Sequence, residues 1–188
     1  MGYSNKIIYR NNAKLHDDIY VTGNIGDSFL GLQILKNKIK VNKKTSSFFI
    51  KKYYQPDLPL KLTKYLLKFA NTSIDISDGL IDDLGKMLNR QNLSFQLFKK
   101  KIPTSHKLNK LIKNNKLNKM NLISYGDDYQ VLFTAERKKT RIIKNISKIT
   151  RVKISKIGKI VSGKNSSVII DEKGRQTLAK NKGYIHHF

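Results

Sequence analysis

Residues 71–85 read NTSIDISDGLIDDLG. The first part, TSIDIS (72–77), has the composition of a strand, and GLIDDLGKMLNRQ (79–91) carries Leu80, Ile81, Leu84, Met87 and Leu88 on one helical face. A strand that passes through Ser-Asp-Gly straight into a helix is the joint on which a layered α/β structure is built. Four carboxylates, Asp75, Asp78, Asp82 and Asp83, crowd the nine positions of that joint.

The flanking segments extend the same pattern. DDIYVTG (17–23) reads as a strand closed by Gly23, and IGDSFLGLQILKNKI (25–39) as a helix in spite of Gly26 and Gly31. VNKKTSS (41–47) is polar and loop-like. Pro56 and Pro59 mark a break before LKLTKYLLKFA, where Leu62, Tyr65, Leu66 and Phe69 form a helical stripe. Downstream, LSFQLF (93–98) reads as a strand, and a Lys/Asn-rich segment (99–121) has room for a short helix around Leu108 to Ile112. YQVLFTA (129–135) predicts a strand, residues 136–149 a helix, VKISKIGKIV a strand interrupted at Gly158, and residues 166–178 a hairpin around DEKG. Strands and helices mix without strict alternation. The fold class expected is α/β (α+β), a mixed β-sheet covered by helices around one core.

Composition narrows the chemistry. The 188 residues carry 38 Lys and Arg against 13 Asp and Glu, a formal net charge of +25, and no cysteine. Disulfides, thiolate metal sites and cysteine nucleophiles are thereby excluded. No apolar run has the roughly 18 residues of a membrane span, and MGYSNKIIYRNNAK lacks a signal-type apolar core. The location expected is the cytoplasm. So basic a chain invites a nucleic-acid partner, but only six of the cations are Arg, the residue that best reads bases and clamps phosphates. No nucleic-acid-binding motif accompanies them, so no specific nucleic acid is expected.

The scarce acids are unevenly spent. A second acidic turn, SYGDDYQ, holds Asp127 and Asp128, and the two turns together hold six of the 13 acids. Asp78, Asp82 and Asp83 could simply favour the positive end of the helix that follows them. That leaves Asp75 and the second turn unexplained. Aspartates at loop ends also suit Mg²⁺, which takes one or two carboxylates and completes its shell with water and phosphate oxygens. Ser77 and the N–H groups at the helix start could receive such phosphates. Spacing alone leaves both readings open.

The motifs in their order settle on a resemblance. IDISDGL (74–80), DLG (83–85), SYGDDYQVLF (124–133) and a terminal GYIHHF (183–188), preceded by YRNNAKLHDDIYVTGNIGDSFLGLQIL (9–35) and YYQPDLPL, together resemble the C-terminal domain of the thiamine-monophosphate kinase family. Aminoimidazole ribonucleotide synthetase and selenophosphate synthetase share that domain type, but their corresponding turn is typically Gly-rich where this chain has ISDG. The resemblance covers essentially the whole chain. It implies ATP-dependent phosphorylation of thiamine monophosphate to thiamine diphosphate, with Mg²⁺ as cofactor and ATP as co-substrate. By position it implies Asp75 and Asp78 as Mg²⁺ ligands, Ser77 and Arg10 as ATP contacts, and Asp127 and Tyr184 as substrate contacts. His186 and His187 match the family's terminal region and are given no role.

Three departures accompany it. Where the family commonly reads Gly-Gly-Glu-Asp-Tyr-Glu, this chain has Tyr125, Gly126, Asp127, Asp128, Tyr129 and Gln130, so the Asp127 carboxylate is one methylene short. The GYIHHF terminus is one residue longer than usual. The expected layout is an arm (1–16) carrying Arg10 and a single domain (17–188), with the family's N-terminal ATP/Mg²⁺ domain absent. On that layout the chain is expected to be inactive without a separate N-terminal kinase half as partner. The alternatives are a basic module that binds polyanions nonspecifically and a relic that retains the fold.

Overall fold

The computed structural model of the chain describes residues 6–179 except 90, 116 and 165. Its strands are β1 (Asp18–Thr22), β2 (Thr72–Asp75), β3 (Leu93–Phe98), β4 (Val131–Ala135), β5 (Ile154–Ser162), β6 (Val168–Ile170) and β7 (Gln176–Leu178). Its helices are α1 (Asp27–Leu35), α2 (Lys43–Tyr54), α3 (Thr63–Leu66), α4 (Leu80–Met87), α5 (His106–Asn115), α6 (Lys119–Ile123) and α7 (Thr140–Thr150). The strands make one sheet in the order β2-β4-β1-β5-β3-β6-β7. Only the β3–β6 pair is parallel among the described strands, so the sheet is mixed as expected.

Both faces of the sheet are covered, which is why all five residues of β1 are buried. Successive side chains of a strand point to opposite faces. Ile19 and Val21 accordingly join Leu80, Ile81, Leu84 and Met87 of α4 on one side. Tyr20 joins Phe69, Phe133 and the α7 residues Ile143 and Ile146 on the other. A third cluster, Leu30, Ile34, Phe49, Leu108 and Leu122, ties α1, α2, α5 and α6 together. Each fully buried Leu or Ile here contributes about 1.5–3 kcal/mol relative to exposure.

Several elements differ from the sequence reading. Residues 41–47 are not a loop: α2 begins at Lys43, where the Asn42 side chain accepts the Thr45 N–H at 2.9 Å. Phe49 is the one fully buried side chain of α2, so no apolar stripe announced it. A Cβ on Gly31 would stand 2.2 Å from the Phe49 carbonyl, so that glycine serves the close approach of α1 and α2. The stripe over 60–70 folds as a 3₁₀ turn (Leu60–Leu62) and the short α3, still burying Leu62 and Phe69. Gly158 does not interrupt β5. It lets β5 approach β3, where a Cβ would meet the Gln96 carbonyl at 2.3 Å, and a register shift against β1 lies beside it. α6 was not expected, and β4 starts at Val131 because Tyr129 has a left-handed φ of 49°. Neither helix nor strand continues through such a residue.

Candidate functional site

The sheet order places β2 beside β4, and that neighbourhood joins the two acidic turns. Ile74 pairs with Leu132 and Asp75 with Val131. Beyond the strands the pairing persists: Ile76 N–H donates to the Gln130 carbonyl (2.9 Å), Tyr129 N–H to the Ile76 carbonyl (2.9 Å) and Asp127 N–H to the Ser77 carbonyl (3.0 Å). Two glycines permit the contact. A Cβ on Gly126 would fall 1.7 Å from the Ser77 carbonyl oxygen, and one on Gly79 would fall 2.1 Å from that of Ser124. Gly79 also has φ 133°, a conformation other residues avoid.

Within the joint, Asp83 is an internal support. Its Oδ2 accepts the N–H groups of Ser77, Asp78 and Gly79 at 3.0, 3.0 and 3.1 Å, and its side chain is 1% exposed. It holds the 77–79 turn from inside the first turn of α4. Lys86, one turn further along, donates to Asp83 Oδ1 at 2.8 Å and to Asp78 Oδ2. Burial opposes the Lys86 charge, but its hydrogen bonds to Asp78 and Asp83 outweigh that, and its pKa is raised.

Asp128 also proves to be internal. It is buried, and its carboxylate accepts the N–H groups of Gly26 (2.7 Å) and Ser28 (3.3 Å) at the start of α1. Burial pushes its pKa up to about 8. The crowding of six acids therefore overstated the site, because Asp83 and Asp128 satisfy backbone donors. The helix-start reading of Asp83 is in keeping with its bonds to the turn just before α4, whereas no signal in the sequence separates Asp128 from Asp127, since its N–H partners lie about 100 residues away.

Of the residues expected at a site, Asp75, Ser77, Asp78 and Asp127 lie on these joined turns. Asp75 is exposed at the end of β2 with no hydrogen bond or ion pair among the described residues. Ser77, Asp78 and Asp127 are half-buried. The Asp127 backbone is left-handed, φ 66°, and its pKa is raised by burial and then by the Asp78 charge. Arg10 is exposed; its carbonyl accepts the Thr72 hydroxyl, which fixes the arm at the end of β2 away from Asp75. Tyr184, with His186 and His187, lies outside the described residues.

The joint suits a hard cation in part. Asp78 already attracts an ammonium, and it disfavours ionisation of Asp127, so negative potential is concentrated there. No group of three or more metal-binding side chains occurs among the described residues. Asp75 and Asp78 would thus supply two ligands and leave the rest to water and phosphate oxygens, the usual division for Mg²⁺. A separate cleft of about 270 Å³ lies behind Asp128, edged by Asp27, Lys52, Asp57, Arg151 and Lys153, and none of the four expected residues lines it. No helix among the described residues is long and apolar enough to cross a membrane.

No protein-family model matches the chain. It is 34% identical over 181 residues to the thiamine-monophosphate kinase of Buchnera aphidicola subsp. Acyrthosiphon pisum, covering 95% of this chain and 55% of that protein. It is 28% identical over 165 residues to that of Aquifex aeolicus, covering 87% of this chain and 54% of the relative. The chain thus spans about half the length of the curated relatives it matches, corresponding to their C-terminal portion. Among solved structures, thiamine-monophosphate kinase from Stenotrophomonas maltophilia K279a superposes with a TM-score of 0.76 at 25% identity, over 90% of this chain and 54% of that one. The fold is also that of AaThiL complexed with AMPPCP and TMP (TM-score 0.76, 24% identity, 95% of this chain and 54% of that one). At 11% identity, the hydrogenase maturation protein HypE of E. coli shares the fold alone, with a TM-score of 0.68 over 95% of this chain and 53% of that one. That fold is of the aminoimidazole ribonucleotide synthetase type.

Proposed function

We infer from one premise, that this chain belongs to the thiamine-monophosphate kinase family, that it is the portion of such a kinase which carries the β2–α4 acidic turn and the substrate-facing turn packed against it. The reaction is transfer of the γ-phosphoryl group of ATP to thiamine monophosphate. A phosphate oxygen of the acceptor forms the new P–O bond, the bond from the γ-phosphorus to the β,γ-bridging oxygen breaks, and ADP leaves. Such transfers rest on positioning and charge neutralisation, with no covalent enzyme intermediate required. The carrying observation is the contact between the 77–79 and 124–127 turns, made through Gly79 and Gly126.

The residues then divide the work. Asp75 and Asp78 would hold Mg²⁺, which when bound offsets phosphate charge. The Ser77 hydroxyl donates to an ATP phosphate oxygen; Arg10, whose arm is fastened to Thr72 at the other end of β2 from Asp75, is assigned to the nucleotide by the family resemblance alone. Asp127 faces the thiamine substrate, with Tyr184 as its second contact. Support for nucleotide and substrate at this fold comes from AaThiL, whose structure is of a complex with AMPPCP and TMP. Two carboxylates make an incomplete clamp, so the reading includes an N-terminal kinase half, supplied in the same assembly, as partner.

The experiment is ATP-dependent formation of thiamine diphosphate with Mg²⁺, using the chain with and without the N-terminal half of a related kinase. Product in the mixture, lost with Asp75→Asn, supports the reading. Product from this chain alone removes the need for a partner. An associated pair of halves that makes none counts against kinase function.

A further inference from the structure

The acidic joint contains a cation of its own. Asp83 is immobilised by three backbone N–H groups through one oxygen and by Lys86 through the other. Asp78, with 28% of its side chain exposed, has Lys86 as its one side-chain partner among the described residues. Lys86 itself is 38% exposed, so solvent reaches the pair. The ammonium thus stands between one carboxylate that cannot move and one that can.

We propose that Lys86 is the resident counter-cation of this turn, holding Asp78 until a hard divalent cation takes that carboxylate in exchange, and so setting the turn's metal affinity. The inference rests on Asp75 and Asp78 being the metal ligands proposed above. A divalent ion brings twice the charge to Asp78 and, with Asp75 as its second ligand as proposed above, gains a carboxylate that the Lys86 ammonium does not bond. The exchange is incomplete by design, since Lys86 released from Asp78 keeps its 2.8 Å bond to Asp83. It stays beside the turn as a positive group where phosphate oxygens arrive. Lys86 is on this argument a positioning residue, acting through Asp78.

The test is Mn²⁺ titration of the whole chain, followed by the electron paramagnetic resonance signal of free Mn²⁺, counting only binding that Asp75→Asn removes. Lys86→Met keeps the stem and deletes the charge, and should tighten Mn²⁺ by roughly twofold to fivefold, the range of a partly exposed ion pair. Lys86→Arg should bind as the parent does, and in an Asp78→Asn background the Met substitution should have no effect. Lys86→Gln serves if the Met variant does not fold by circular dichroism. Equal or weaker Mn²⁺ binding by the uncharged variants, beside a parent that binds, overturns the proposal while leaving the metal reading intact. No Mn²⁺ binding by any variant overturns both.

Discussion

The Asp128 carboxylate accepts the Gly26 N–H at 2.7 Å, across 102 positions of sequence, and this bond starts α1. Removing the acceptor strands the buried N–H groups of Gly26 and Ser28. Asp128→Ala should therefore cost about 1–3 kcal/mol per the usual penalty for an unsatisfied buried donor, read by urea denaturation. Asp128→Asn, which can still accept from Gly26, should cost less.

The same residue predicts a pH dependence. Its ordinary value is 3.8 and burial raises it to about 8 in the folded chain; Asp27, buried beside it, rises to about 6. The folded state therefore holds protons that the unfolded chain releases. Their contribution is fully present below pH about 4 and is lost as pH rises towards 8. Denaturation midpoints measured across that window should fall more steeply for the parent than for Asp128→Asn.

Asp75 and Asp83 should separate stability from binding. Asp83→Ala removes the acceptor of three turn N–H groups and should destabilise by about 1–3 kcal/mol. Asp75→Asn alters an exposed, unpartnered carboxylate and should change stability by less than about 0.5 kcal/mol, while abolishing activity of the reconstituted pair. Thermal melts beside the thiamine diphosphate assay check both.

Gly126→Ala should separate the two turns, because its Cβ would sit 1.7 Å from the Ser77 carbonyl, a backbone atom that cannot swing away. A loss on the order of 2 kcal/mol or more is expected, together with loss of activity. Gly174→Ala is the contrast: its Cβ would meet nothing within 4 Å, and only its φ of 79° resists the change.

The charge of +25 has its own signature. Binding to heparin or DNA should be detectable at low salt and fall steeply towards physiological salt. Asp75→Asn should leave it unchanged or slightly stronger.

Much of this was legible in the chain before any coordinates. The strand-to-helix joint at 72–87, the β-branched run of β1 and the alternation of β3 are local patterns, set by side-chain type and periodicity within a few residues. The ordered motifs carried the family as well. α2 escaped because its burial reduces to Phe49, whose pocket is made by α1 rather than by any stripe of its own. The acids could be counted from the sequence, but their roles could not be assigned. Asp83 sits in the first helical turn, where its bonds to the turn before α4 are local, but the partners of Asp128 come from a segment 100 residues away. Residue type and spacing determined that carboxylates would gather at these turns. Only the packing of β2 against β4, with two glycines allowing backbone to touch backbone, decided that the turns meet, which acids they bury and which they leave free to bind.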